Sequence, residues 1–208
     1  MSEKDSNWKF ANDFVTETEA MIDARTNSLE FGVQPIAEAV GAQLALLAAS
    51  VSASSIIEIG TGTGVSGLWL LQGAPRATLT TIDSELDHQQ AAKVSFAEAG
   101  YANKQVRLIA GRALDVLPRM NEASYDLVFI DADPECVIEY VEHGLKLVRR
   151  GGIVAIARVL WNGKVADPAK RDPISTGFRT LIDEIGASPA VLSSLSPAGD
   201  GLLQLVRL

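Results

Sequence analysis

Alternating glycines, Gly60-Thr61-Gly62-Thr63-Gly64, directly follow a short β-branched segment, Ile56 to Ile59, that carries one acid, Glu58. Glycine lets a backbone turn tightly and approach a ligand closely, and a helix starting just after such a turn offers it unpaired N–H groups. Plain strand-to-helix connections rarely use three alternating glycines, so the turn reads as a ligand cradle. A dinucleotide fingerprint, G-x-G-x-x-G counted from Gly60, needs glycine at position 65, where the chain has Val65. A phosphate loop needs a lysine that does not follow. Glu58 would repel a diphosphate and suits a cationic ligand. Asp83 ends the next β-like run, TTID, at a distance where an acid accepts hydrogen bonds from ribose hydroxyls. Together Glu58, the glycines and Asp83 describe a site for a nucleoside with a cationic centre and no diphosphate.

Other reactive side chains are few. His88 and His143 are candidate bases because histidine titrates near neutrality, but neither follows a strand end on the ligand side. Cys136 reads as a packed thiol rather than a nucleophile, and Trp69 as core. Trp161 follows a strand and either walls a second pocket or packs ordinarily.

These residues need a scaffold. The spacing predicts a helix over Ala11–Asn27 after a polar, mobile start at residues 1–9, and a second helix over Ala37–Ala49. Strands are expected at Ile56–Ile59, Ala77–Asp83, QVRLIAG, YDLVFIDAD and IVAIARVLW. Helices are expected at Val65–Leu71, Leu86–Ala99 and Cys136–Val148. Arg149 and Arg150 would favour the dipole at the end of that last helix, before a turn at Gly151–Gly152. A polar loop at Asn162–Pro173, a helix at Phe178–Ile185 and strands near Ala190–Leu195 and Leu202–Leu208 complete the chain. Alternating strands and helices predict an α/β, doubly wound parallel sheet with helices on both faces. The GDG turn before the last strand predicts a closing antiparallel hairpin.

Composition narrows the function classes. The 208 residues are 47% hydrophobic and 21% charged, enough apolar residue for one folded domain. The longest apolar run, Leu44 to Ile57, is broken by serines and falls short of a membrane span, so no membrane partner is expected. The start MSEKDSNWKF lacks the apolar centre of a secretory signal. One cysteine allows no intrachain disulfide and no cysteine-based zinc site, which fits a reducing, cytoplasmic location. A net charge of -8 argues against nucleic acid as a partner.

The segments IEIGTGTGVSGLWLL, TTID, YDLVFIDAD, RRGGIVAIARVLWNG and PAGDGLLQLVRL occur in order. Through them the chain, from about residue 10 onward, resembles the class I S-adenosylmethionine-dependent O-methyltransferases of the caffeoyl-CoA and catechol type, particularly an actinobacterial branch. The resemblance implies one Rossmann-like domain over residues 1–208, with an N-terminal helical segment at 10–50. It also implies a seven-stranded sheet whose last strand pair is reversed, the last strand antiparallel. The implied cofactor is S-adenosyl-L-methionine, the partner a small-molecule methyl acceptor, and the assembly a homodimer with contacts from the N-terminal helices. By the same resemblance, Glu58 and the backbone of Gly60 and Thr61 hold the cofactor's amino-acid end, and Ser66 bonds its carboxylate. Asp83 takes the ribose, Ser84 lies beside the adenine, and Ala113 lies along it. Asp131 and Asp133 face the methyl-transfer centre, and Ile36 is a looser cofactor contact.

The departures bear on mechanism. Metal-dependent relatives hold a divalent cation with the first Asp of D-A-D-K and an Asp-Asn pair on the next strand. Here Asp131 is kept, Ala157 and Arg158 stand at the pair, and Pro134 replaces the lysine. One carboxylate holds magnesium weakly, and an adjacent guanidinium opposes it. No metal is therefore expected. Arg158 either takes over the metal's electrostatic role beside Asp131, orienting an acidic or phenolic acceptor, or pairs with Asp131 or Asp133 and fills the vacated site. The expected activity is O-methylation of a small molecule. The alternative is a protein that binds S-adenosylmethionine or S-adenosylhomocysteine with little turnover. A nicotinamide oxidoreductase is opposed by Val65.

Overall fold

The computed structural model describes residues 3–101 and 104–208. Helices α1 (Glu3–Asp13), α2 (Glu19–Glu30) and α3 (Glu38–Ser50) precede β1 (Ser55–Ile59). Then follow α4 (Val65–Gly73), β2 (Thr78–Asp83), α5 (Leu86–Glu98), β3 (Val106–Ala110), the short α6 (Ala113–Val116), β4 (Tyr125–Ile130) and α7 (Val137–Leu147). The chain ends with β5 (Val148–Ala157), α8 (Pro173–Ala187), β6 (Val191–Ser196) and β7 (Leu202–Arg207).

The strands form one seven-stranded sheet in the order β3-β2-β1-β4-β5-β7-β6. Strands β1 to β5 pair in parallel, and β7 alone runs antiparallel, to β5 on one side and β6 on the other. Strand order reverses between β1 and β4, so the crevice beyond their carboxyl ends is the ligand position of such a sheet. Each face carries its own core. Leu44, Leu68, Trp69 and Phe129 pack on one face; Ile57, Val128, Val141 and Phe178 pack on the other. In β1, Ile57 and Ile59 point to the second face. The two-residue period then turns Ile56 and Glu58 toward the first face. No helix among the described residues is long and apolar enough to cross a membrane.

Five expectations change. Ala11–Asn27 is two helices, because Thr18 caps α2 by accepting the Met21 N–H at 3.4 Å and so starts a new helix there. Residues 3–9 of the expected mobile start are helical, while positions 1 and 2 lie outside the described residues. Arg149 to Gly152 form the irregular beginning of β5 rather than a helix end: the pairing with β4 shifts register between Tyr125 and Leu127. Arg149 there donates to Asp126 at 2.6 Å instead of serving a helix dipole. At its other end β5 stops at Ala157, since Arg158 turns to φ +60°. Helix α8 starts at Pro173 rather than Phe178, because Asp172 caps it through the Ser175 N–H at 3.0 Å and Pro173 needs no donor.

Candidate active site

The glycine turn lies at the carboxyl end of β1, on the wall of a cleft of about 1130 Å3. That is slightly above the usual range of small-molecule pockets, roughly 300–1,000 Å3. Gly60 sits at φ +95°, where a Cβ would lie 2.0 Å from the Asp131 carbonyl oxygen, so only glycine lets the ends of β1 and β4 meet. Asp83 fixes the turn from β2: one carboxylate oxygen accepts the N–H groups of Thr61 at 3.0 Å and Gly62 at 2.9 Å, the other that of Glu85 at 2.9 Å. From the other side the Thr63 hydroxyl donates to the Ala24 carbonyl of α2 at 2.7 Å. Helix α4 begins at Val65, and the first N–H groups of a helix have no partner within it. Val65 and Ser66 both line the cleft, so this end of α4 can receive an anionic group.

Counted from Gly62, the dinucleotide spacing is met by Gly62, Gly64 and Gly67. Gly67 serves helix packing, since a Cβ there would meet Phe96 at 2.7 Å and Leu79 at 2.9 Å. Val65 thus carries no weight against a dinucleotide. That objection rests on Glu58.

Glu58 is fully buried behind the turn, not on the cleft wall. Its two oxygens accept the Ser66 and Thr81 hydroxyls, each at 2.6 Å, and Thr61 bonds Thr81 at 2.7 Å. Burial pushes its carboxyl up to about 7, against the opposing pull of the two hydroxyl bonds. The charges of Asp131 and Asp83 push the same way.

At the end of β4, Asp131 is clasped by Arg158, with Nε at 2.7 Å and Nη2 at 3.2 Å from its two oxygens. Nη2 also donates to the Gln34 carbonyl at 2.5 Å, tying the α2–α3 loop to the site. Of the two roles expected for Arg158, pairing with Asp131 is realised. Its Nη1 has no partner among the described residues, and its side chain lines the cleft. Asp133 lines the cleft as well but caps the following turn through the Glu135 N–H at 3.1 Å. Among the described residues no cluster of three His, Cys, Asp or Glu is arranged to hold a metal ion.

Gly60, Thr61, Ser66, Asp83, Ser84, Ala113, Asp131, Asp133, Arg158 and Ile36 all line the one cleft. Trp161 lines it too and packs on Phe178, ring centroids 6.0 Å apart. Trp69 is core, as expected, and donates to Glu17 at 3.2 Å. His143 is not on the cleft, but His88 is: its Nδ1 lies 3.7 Å from Asp83 and its ring stands edge-on to Phe31. Cys136 also reaches the cleft, 3.7 Å from Asp133, with its thiol raised by burial and by that neighbouring charge. Sequence reasoning missed Arg25, Arg112, Tyr140, Asn162 and Asp200 on the same walls. Asp200 had a signal, the GDG turn: it accepts the Asn162 N–H on both oxygens, at 2.8 and 2.7 Å.

The O-methyltransferase family profile matches residues 16–208. A probable O-methyltransferase of Mycobacterium tuberculosis is 42% identical over 207 residues, covering 99% of this chain and 92% of that one. A crystal structure from Corynebacterium glutamicum superposes with a TM-score of 0.92 at 31% identity, covering 99% of this chain and 97% of that one. The O-methyltransferase TomG of Streptomyces achromogenes, solved with S-adenosylmethionine, does so with 0.86 at 32%, covering 100% and 99%. The chain belongs to the S-adenosylmethionine-dependent class I O-methyltransferase family.

Proposed function

We propose that the protein transfers the methyl group of S-adenosylmethionine to a hydroxyl or carboxyl oxygen of a small molecule, without a divalent cation. The observation that carries the metal-free reading is the Arg158–Asp131 clasp, in which a guanidinium occupies the one carboxylate kept from the family's metal set. Ala157, at the end of β5, offers no side-chain oxygen ligand, so the side chains present do not fit the metal.

The cleft fits the cofactor better. The amides at the start of α4 suit a carboxylate, and the backbone of Gly60 and Thr61 flanks the same end. Asp83 and Ser84 suit the ribose and adenine, with Ala113 along the base and Ile36 and Asp133 completing the walls. The cofactor brings a methyl already activated on a sulfonium, so the protein's work is to hold an acceptor oxygen in line and keep water away. Arg158 Nη1 orients that acceptor and Trp161 walls its pocket. Two neighbours are poor bases: burial first, then nearby thiol and carboxylate groups, hold Tyr140 up at about 12, and the Cys136 thiol is raised too. This favours acceptors that enter as anions or acidic phenols.

A second reading, cofactor binding with little turnover, draws on the same clasp, because Asp131 has both oxygens engaged. Methyl-donor turnover across phenols, carboxylates and hydroxamates separates the two. Product from any acceptor supports the enzyme; binding of S-adenosylhomocysteine with no product from any of them supports the second reading. A homodimer is proposed through the N-terminal helices, where Trp8, Phe10 and Ile22 are exposed, together with Phe14 just after α1. A cytoplasmic setting fits the single cysteine.

A further inference from the structure

Where the chain leaves β5, Arg158, Trp161 and Asn162 take positive φ, at +60°, +47° and +55°. Asparagine adopts that conformation readily, but arginine and tryptophan keep it only where their surroundings fix it. The turn before β7 does the fixing. Strands β5 and β7 pair as far as Ala157 and Leu202. Beyond that pair the Gly201 carbonyl accepts the Val159 N–H at 3.3 Å, and the Asp200 carbonyl accepts the Leu160 N–H at 2.9 Å. These bonds are made by backbone and do not depend on the side chain at position 200. The next one does: the Asn162 N–H goes to both oxygens of the Asp200 carboxylate, at 2.8 and 2.7 Å. Trp161, just before it, donates its N–H only to the Arg158 carbonyl of the same turn, at 3.0 Å. Among the described residues, the Asp200 carboxylate thus makes the only hydrogen bond that reaches Trp161 or Asn162 from another part of the chain. The loop that follows has its own anchor in Arg179 of α8, which donates to the carbonyls of Lys164, Val165, Asp167 and Lys170.

We propose that Asp200 is a positioning residue for methyl transfer: through the Asn162 N–H it holds the turn that presents Arg158 and Trp161 to the acceptor. This rests on the reading of that end of the cleft as the acceptor pocket, and Arg158, Trp161, Asn162 and Asp200 all line it. Arg158 is then fixed at both ends, its guanidinium by Asp131 and Gln34 and its backbone by the turn. A carboxylate makes a strong, charge-assisted bond to a backbone N–H. The hold itself needs only an acceptor oxygen at that place, which asparagine also carries. A carboxylate that met a cationic acceptor directly would need its charge, and asparagine could not replace it.

The test compares the whole chain with Asp200→Ala and Asp200→Asn, all carrying Trp8→Phe, so that indole fluorescence comes only from Trp161 and the buried Trp69. Acrylamide quenching reads the hold on Trp161, calorimetry with S-adenosylhomocysteine reads the cofactor end, and methyl transfer to phenols, carboxylates and hydroxamates reads the reaction. Asp200→Ala should open Trp161 to the quencher and leave S-adenosylhomocysteine affinity unchanged. It should also cut turnover of the best acceptor about tenfold or more, as a small misplacement of a positioning group does. Asp200→Asn should restore the quenching and most of the turnover. Should Asp200→Ala fail to fold, Asp200→Asn decides alone: near wild-type quenching and turnover support the hold, and their loss overturns it. A folded Asp200→Ala with wild-type quenching or wild-type turnover overturns the assignment and leaves the methyltransferase reading standing. An equal loss of S-adenosylhomocysteine affinity, or an Asp200→Asn as impaired as Asp200→Ala, does the same. Wild-type protein that gives no product with any acceptor overturns that reading and this one together.

Discussion

Replacing Gly60 by alanine should damage the fold, and replacing Gly62 should spare the fold and damage the site. At Gly60 the backbone is at φ +95°, where an L residue is strained by about 1–2 kcal/mol. The new Cβ would stand 2.0 Å from the Asp131 carbonyl oxygen and 2.8 Å from its carbon, so the two strand ends must part by about 1 Å. They are joined there by the Asp131 N–H and the Ile59 carbonyl at 2.9 Å, a buried bond whose loss adds about 1–3 kcal/mol. The sum, about 2–5 kcal/mol, is a large part of a typical domain's stability and should lower Tm by about 10 °C. At Gly62, φ is +50° and a Cβ meets only a Val33 methyl at 3.7 Å. Only the backbone strain remains, about 1 kcal/mol or a few degrees of Tm, while the methyl narrows the cleft and should weaken S-adenosylhomocysteine at least tenfold. Thermal melts and calorimetry read both effects. Equal destabilisation by the two substitutions would refute the claimed contact between β1 and β4.

Arg158→Ala should stay folded, bind S-adenosylhomocysteine within a few-fold of wild type and lose most turnover; unchanged turnover in a folded variant would rule out an electrostatic role for this guanidinium. Ala157→Asp combined with Arg158→Asn should create a magnesium site, seen as a Tm that rises with added magnesium and falls with chelator; no response would show that these positions do not face Asp131 as the pairing of β4 and β5 requires. Asp126 is pushed up by burial but held down at about 2 by stronger bonds from the Ser54 and Ser55 amides, the Ser54 hydroxyl and Arg149. Its stabilising contribution, about 2 kcal/mol, is present above its unfolded value near pH 4 and is lost as pH falls toward 2. Asp126→Asn should therefore lose about that much at pH 7 and unfold in acid with a flatter profile, whereas parallel curves would place the acid sensitivity elsewhere.

The parts of this fold that repeat a local rule were legible in the sequence. The β-branched run at Ile56–Ile59, the glycines behind it and the spacing to Asp83 each announce themselves, and the cleft forms where they predict. Segment ends were harder, because they depend on side chains reaching back to the backbone. Thr18 restarts a helix that periodicity alone carries through, and the departure of Arg158 to positive φ ends a strand whose apolar pattern runs on to Trp161. Contacts between distant segments were not legible. The Arg158 clasp also binds Gln34, and Arg25 reaches the Ile36 carbonyl at 2.7 Å while paired with Glu17; both depend on how loops cross the sheet. Glu58 shows the limit most clearly: its charge suggested a cation, but the two-residue period of β1 hides it under α4, where it accepts the Ser66 hydroxyl.

The central claim is a methyl-transfer site that needs no metal because Arg158 holds Asp131. Calorimetric titration with S-adenosylhomocysteine, run in chelator and again with excess magnesium, tests it most directly. The account predicts tight binding with the same affinity in both. Binding that appears or strengthens tenfold only with magnesium would contradict the metal-free site, and no binding under either condition would contradict the cofactor assignment itself.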